Sequence, residues 1–251
     1  MSKKLNEQFE KKFKGKMDEG FSESVQKKDG LMEYWLGCGA NINIVDRDGF
    51  TALMRSTCDG DIVAVARLIE LGADVNVKTY NRTALIWACI LGNYDIAEKL
   101  LQNGADPNLE HNDFSPLRAA CGRNYIDIVE LLLNYQVDRY KDNCDKESLF
   151  VRAGFYTKEI VEHLLDKGFN INSRNKNGQT ALMKAIEWKN IRVVKYLIER
   201  GADVNIEDND GYTALNYAYR DFDEKQLDFL DMLEEAGAKR GEKINHKKRD
   251  F

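Results

Sequence analysis

The residues able to do chemistry are few and dispersed. Histidine occurs three times, at 111, 163 and 246, which excludes a mechanism built on several imidazoles. The cysteines are Cys38, Cys58, Cys89, Cys121 and Cys144, an odd number without a C-x-x-C pair. A chain of 251 residues does not depend on disulfide staples, so they read as reduced thiols. There is no phosphate-cradling G-x-x-x-x-G-K-[ST], no G-x-G-x-x-G after a strand, no H-E-x-x-H and no G-x-S-x-G. The one charged constellation with enzymatic potential is Asp145, Glu147 and Arg152, which would need a deep pocket and shifted pKa values to act. Asp59-Gly60-Asp61 reads as a loop between helices. The expectation is therefore no catalytic residue, no cofactor and no metal.

Charge bears on partners. The chain is net -5, but residues 1–16 and 239–251 are each +4, leaving -13 between them. An acidic body repels nucleic acid and complements a partner with a basic contact surface. No run approaches the roughly 18 apolar residues of a membrane helix, and Met1-Ser2-Lys3-Lys4-Leu5 opens no signal peptide. The expectation is a cytoplasmic protein that engages neither membrane nor nucleic acid.

The elements that position these residues repeat. Gly49-Phe50-Thr51-Ala52-Leu53 recurs as Asn81-Arg82-Thr83-Ala84-Leu85, Asp113-Phe114-Ser115-Pro116-Leu117, Gly178-Gln179-Thr180-Ala181-Leu182 and Gly211-Tyr212-Thr213-Ala214-Leu215, with a degenerate copy at 145–149. A second marker keeps the same beat: Gly39-Ala40-Asn41-Ile42-Asn43, Gly72-Ala73-Asp74-Val75-Asn76, Gly104-Ala105-Asp106-Pro107-Asn108, Gly168-Phe169-Asn170-Ile171-Asn172 and Gly201-Ala202-Asp203-Val204-Asn205. A fixed period of 32 or 33 residues decides architecture before any local reading does.

Each unit has a physical reading. Thr51 and its equivalents can cap a first helix with the hydroxyl. Small residues inside it, such as Ala88-Cys89 and Ala120-Cys121, let neighbouring helices approach closely, which makes Cys89 and Cys121 packing residues. Apolar pairs then mark one stripe of a second helix, as in Ile96-Ala97 with Leu100-Leu101. The marker glycine suits the left-handed turn that ends it. Asp46-Arg47-Asp48-Gly49 and Asp208-Asn209-Asp210-Gly211 read as tight turns projecting a short hairpin. His111 falls on such a tip and His163 on an outward helical phase.

These two markers in register resemble the ankyrin repeat, about 33 residues of β-turn plus two helices. The resemblance implies an all-α solenoid of paired antiparallel helices linked by short β-hairpin turns, covering residues 18–240. A half-repeat spans 18–45, and repeats start near 46, 78, 110, 142, 175 and 208. Residues 1–17 form a basic leader, disordered or helical, and 241–251 a basic tail. The family's Thr-Pro-Leu-His is altered: the fourth residue is Met54, Ile86, Arg118, Met183 or Asn216, so its helix-linking histidine bond is missing. The repeat from 142 departs most, with Asp145, Glu147, Arg152 and Tyr156 at turn, cap, packing and mid-loop positions, after Gln136 at a glycine position. A charge at a tight packing site must find a partner or reach solvent, which predicts local weakness over about 135–157. Three extra residues around Asp221-Phe222-Asp223-Glu224 mark the last repeat. Asn76 and Asn205 end turns similar to those hydroxylated in animal ankyrin proteins.

In such a solenoid, hairpin tips and the exposed side of the first helices line a concave face. The phases free of packing duty carry Arg47, Phe50, Tyr80, Arg82, Ile90, Leu91, Phe114, Arg123, Phe155, Trp188 and Tyr212. Large stiff aromatics and Arg dominate contact hot spots, so these eleven are the expected partner-binding residues. For Phe50, Phe114 and Tyr212 the competing reading is packing on a neighbouring hairpin. The resemblance implies a monomeric, intracellular protein–protein interaction module: adaptor, scaffold or inhibitor. The alternative is a bacterial effector or immunity-type protein that modulates a host or toxin protein. A small enzyme or nucleotide-binding protein ranks last, given the empty motif search.

Overall fold

The computed structural model describes residues 16–25, 30–79, 82–109, 115–135, 149–220 and 227–241. Tyr80, His111, Phe114, Gln136, Cys144, Asp145, Glu147, the insertion at 221–226 and most of both basic termini lie outside the described residues. By internal contacts the chain divides into two compact units, Met1–Val137 and Asp138–Phe251. All regular structure among the described residues is helical, and the described hairpin segments are turns without strand pairing.

The first unit holds α1 (residues 16–25), α2 (Met32–Gly37), α3 (Ala52–Cys58), α4 (Ile62–Glu70), α5 (Ala84–Leu91), α6 (Tyr94–Gln102), α7 (Pro116–Arg123) and α8 (Ile126–Asn134). The second holds α9 (Leu149–Arg152), a 3-10 turn (Ala153–Phe155), α10 (Lys158–Asp166), α11 (Ala181–Glu187), α12 (Ile191–Glu199), α13 (Ala214–Arg220) and α14 (Leu227–Glu235). First helices begin on hydroxyl caps. Thr51, Thr83, Ser115 and Thr180 accept from the backbone N–H three residues on, at 3.2, 3.3, 3.2 and 3.4 Å. Each such cap contributes about 1 kcal/mol. Second helices bury the apolar stripe read from sequence: Ile96, Ala97, Leu100, Ile128, Val129, Leu132, Ile160, Val161, Leu164, Val193, Val194 and Leu197 are all inaccessible or nearly so. Burial of each Leu, Ile or Val contributes about 1.5–3 kcal/mol. In α4 Val65 and Leu68 are buried while Ala64 and Ile69 are half-covered, and Leu165 and Ile198, at the same phase as Ile69, are half-covered too.

The second marker is a chain of side-chain staples. Asn43 Oδ1 accepts from the Asp74 N–H at 2.9 Å and Asn76 Oδ1 from that of Asp106 at 2.8 Å. Asn172 does the same for Asp203 at 2.9 Å, and Asn205 for Lys239 at 2.7 Å. Asn76 Nδ2 also donates to the Gly104 carbonyl at 2.9 Å. A period of one unit in sequence thus becomes one hydrogen bond between units in space. The missing histidine bond has a local substitute in the last repeat: Asn216 Oδ1 accepts from Thr213 N, Thr213 Oγ1 and Gly241 N at 2.8, 2.9 and 3.0 Å.

The repeat from 142 is irregular where it is described. Its α9 has four described residues before the chain tightens into the 3-10 turn. Equivalent loops elsewhere pass through a left-handed residue: Gly60 at φ 70°, Gly92 at 76°, Asn124 at 61° and Lys189 at 56°. A tyrosine Cβ disfavours that region, and Tyr156 instead takes φ -83°, ψ 179° with its ring buried. Arg152 is half-buried and engaged by a neighbour.

Candidate protein-interaction surface

In the first unit the hairpin phases form a packed group. Asp46 Oδ1 accepts from the N–H groups of Asp48 and Phe50 at 2.9 and 3.0 Å, closing the turn. Arg55, one helical turn into α3, reaches back to Asp46 and, at 2.5 Å, to Asp48. Burial works against ionisation of Asp46, but the Arg55 guanidinium and the Phe50 and Asp48 N–H donors outweigh it and hold its pKa below the usual carboxylate value. Phe50 is half-buried against Trp87 with ring centroids 5.5 Å apart, Arg55 covers the Phe50 ring at 5.1 Å, and Arg82 covers Trp87 at 4.6 Å. Arg47 is exposed and pairs with Glu19 of α1 at 2.9 Å. Phe50 and Arg82 therefore sit in one aromatic–guanidinium stack. Ile90 (half-buried), Leu91 and Arg123 (both exposed) lie at the other end of the first helices, about 10–12 Å away along α5 and α7.

Trp87 escaped the sequence reading, although a signal existed. The fifth residue counted from each capping hydroxyl reads Arg55, Trp87, Ala119, Lys184 and Tyr217, too varied for a packing position. It reaches its own hairpin: Arg55 binds Asp46, and the Tyr217 hydroxyl donates to Asp208 Oδ2 at 2.8 Å while accepting from Gln179 Nε2 at 2.6 Å. Burial first, then the Asp208 carboxylate, pushes the Tyr217 pKa up to about 12 despite the Gln179 donor.

In the second unit, Phe155 and Trp188 meet edge to face with centroids 5.0 Å apart, and each is 58% exposed. Their repeats are held together beneath them. Asn190 Nδ2 donates to the carbonyls of Gly154 at 3.2 Å and Tyr156 at 2.9 Å, while its Oδ1 caps α12 through the Val193 N–H at 3.4 Å. The backbones approach so closely that a Cβ on Gly154 would stand 2.5 Å from Ala185 N and 2.7 Å from Ala181 O. Near the pair in sequence stand exposed Lys158, Lys189, Ile191 and Arg192, none of which the sequence reading selected. Tyr212 is 41% exposed but belongs to the hairpin end, where its N–H donates to Asp208 Oδ1 at 2.9 Å. The expected binding residues thus occupy separate groups within each unit.

Little here supports chemistry. Cys38, Cys58, Cys89 and Cys121 are free thiols; burial and neighbouring Asp59 push the Cys58 pKa up to about 11, and burial raises Cys89 and Cys121 further still. His163 is half-buried with Nδ1 3.2 Å from the Glu159 carbonyl. No group of three metal-binding side chains occurs among the described residues, and no described helix is long and apolar enough to cross a membrane.

The model of ankyrin repeats in three copies matches residues 22–111 and 148–247, and the single ankyrin-repeat model matches 112–144. No curated protein matches in sequence. Among solved structures the chain is similar to the human ASB11 ankyrin repeat domain, at 27% identity and TM-score 0.64, covering 76% of this chain and 85% of that one. It is also similar to an ankyrin repeat domain from Acinetobacter baumannii AYE, at 28% identity and TM-score 0.64, covering 74% of this chain and 98% of that one. Repeats of this kind are generally modules for protein–protein interaction. The chain belongs to the ankyrin-repeat family.

Proposed function

We propose that this chain is a non-enzymatic recognition module that binds a partner protein as a monomer, and that the Phe155–Trp188 edge of the second unit is its principal contact. The observation that carries this reading is the exposure of two large aromatic rings on a rigid base. A Trp left more than half in water gains little for the fold, yet is the side chain most enriched among contact hot spots. The close backbone contact at Gly154 and the Asn190 staple hold the pair ready, so little ordering entropy is lost on binding. The four free thiols among the described residues fit a reducing compartment and hence action as an adaptor or inhibitor in the cytoplasm. Across residues 17–137 the chain carries eight excess negative charges, which favours a basic contact surface on whatever meets the first unit.

Affinity capture from the source cell, with wild type beside a Phe155→Ala, Trp188→Ala variant of unchanged circular dichroism, tests the reading. A protein enriched by wild type and lost from the variant is the expected result. Equal enrichment by both would move recognition to the stack around Trp87 or elsewhere.

A further inference from the structure

The charge around the aromatic pair has the opposite sign to that of the chain. From Phe155 to Arg200 the chain carries nine Lys or Arg against Glu159, Glu162, Asp166, Glu187 and Glu199, a net +4 in a protein of net -5. Glu187 is paired with Lys184 at 2.8 Å. Lys189 follows Trp188 directly and Arg192 stands four residues after it, while Lys158, three residues after Phe155, lies with its Nζ 5.0 Å from the Tyr196 ring; all three are exposed.

Lys189 is held at φ 56°, where the equivalent loops in the first unit have Gly60, Gly92 and Asn124. A side chain other than Gly, Asn or Asp at that angle is strained. Glycine would remove the strain, and the chain carries a cation there instead. A backbone position kept under strain beside two exposed rings points to use of that side chain in binding.

Resting on the reading of this edge as the contact site, we infer that its partner is an acidic protein segment that presents a bulky apolar side chain. The apolar side chain covers Phe155 and Trp188, and flanking Asp or Glu residues meet Lys158, Lys189 and Arg192. Charged flanks speed encounter and fix register more than they add affinity, whereas the rings bury area. Binding therefore weakens with salt but retains an apolar component at high salt. The basic partner favoured by the first unit's charge is the wrong complement here.

Selection of a phage-displayed random peptide library on the full chain, followed by titration of the synthetic consensus, tests this. The expected consensus has Asp or Glu flanking Trp, Phe or Leu. It should bind Trp188→Ser at least tenfold more weakly, and bind Lys189→Gly several-fold more weakly even though that variant is the more stable protein. A basic or uncharged consensus that still needs Trp188 would overturn the acidic partner while keeping the edge as the site. A consensus indifferent to both Trp188→Ser and Phe155→Ser would overturn the edge itself, and so would the absence of any consensus. Trp188-dependent binding to phosphatidylserine–phosphatidylcholine vesicles, without a peptide consensus, would assign the edge to a lipid surface and overturn the proposal. Each variant is titrated well below its own melting temperature, so that unfolding is not read as lost binding.

Discussion

Asn190 donates its side-chain amide to the Tyr156 carbonyl at 2.9 Å, joining two loops that lie 34 residues apart in sequence. The bond fixes the distance between the repeats that carry Phe155 and Trp188. Replacing Asn190 by Ala removes it together with the Gly154 contact and the α12 cap. Loss of stability by about 1–3 kcal/mol is expected, read as a lower denaturant midpoint with unchanged slope. No change in the midpoint would show that these contacts add nothing over water.

Gly122 and Gly154 occupy the same phase of their repeats but not the same surroundings. Nothing lies near a Cβ built on Gly122, whereas on Gly154 it meets backbone atoms of α11. Gly122→Ala is expected to stabilise by about 0.5–1 kcal/mol, as Ala replaces Gly in an exposed helix. Gly154→Ala should destabilise by about 1–3 kcal/mol, because backbone has to move. Melting curves of the two single variants decide the matter, and similar shifts for both would contradict the close approach.

Lys189→Gly relieves a left-handed residue and is expected to stabilise by about 1 kcal/mol. Chemical denaturation measures it directly. Destabilisation would mean that the Lys189 side chain makes a contact worth more than the strain.

Acid should weaken the first unit through Asp46. Its folded pKa lies below the ordinary Asp value of 3.8, so the stabilisation is fully present above that value and is lost as pH falls through the folded pKa. Asp46→Asn, which cannot ionise, should be less stable than wild type at neutral pH, with the difference shrinking toward pH 2. A difference independent of pH would show that the carboxylate's charge is not what Arg55 holds.

The architecture was legible because a solenoid writes its contacts locally. Every cap, stripe and staple recurs at one period, so Thr51, Leu100 and Asn76 could each be read from their copies. The site was less legible. Phases free of packing duty could be found, but not whether a side chain on them is covered by the neighbour. Phe50, for which packing on a neighbouring hairpin was the competing reading, is stacked between Trp87 and Arg55, whereas Trp188 stands open beside Phe155. Whole-body charge also hid the cationic stretch from 155 to 200, since the stretch that follows it is strongly acidic.

The measurement that bears most directly on recognition by this edge is titration calorimetry of the captured partner against wild type and Trp188→Ala. A loss of about 2 kcal/mol or more in binding free energy, with an unchanged melting curve, is the predicted result. An unchanged dissociation constant, or a loss of helical signal in the variant, would contradict it and return Trp188 to the solvated surface or to the core.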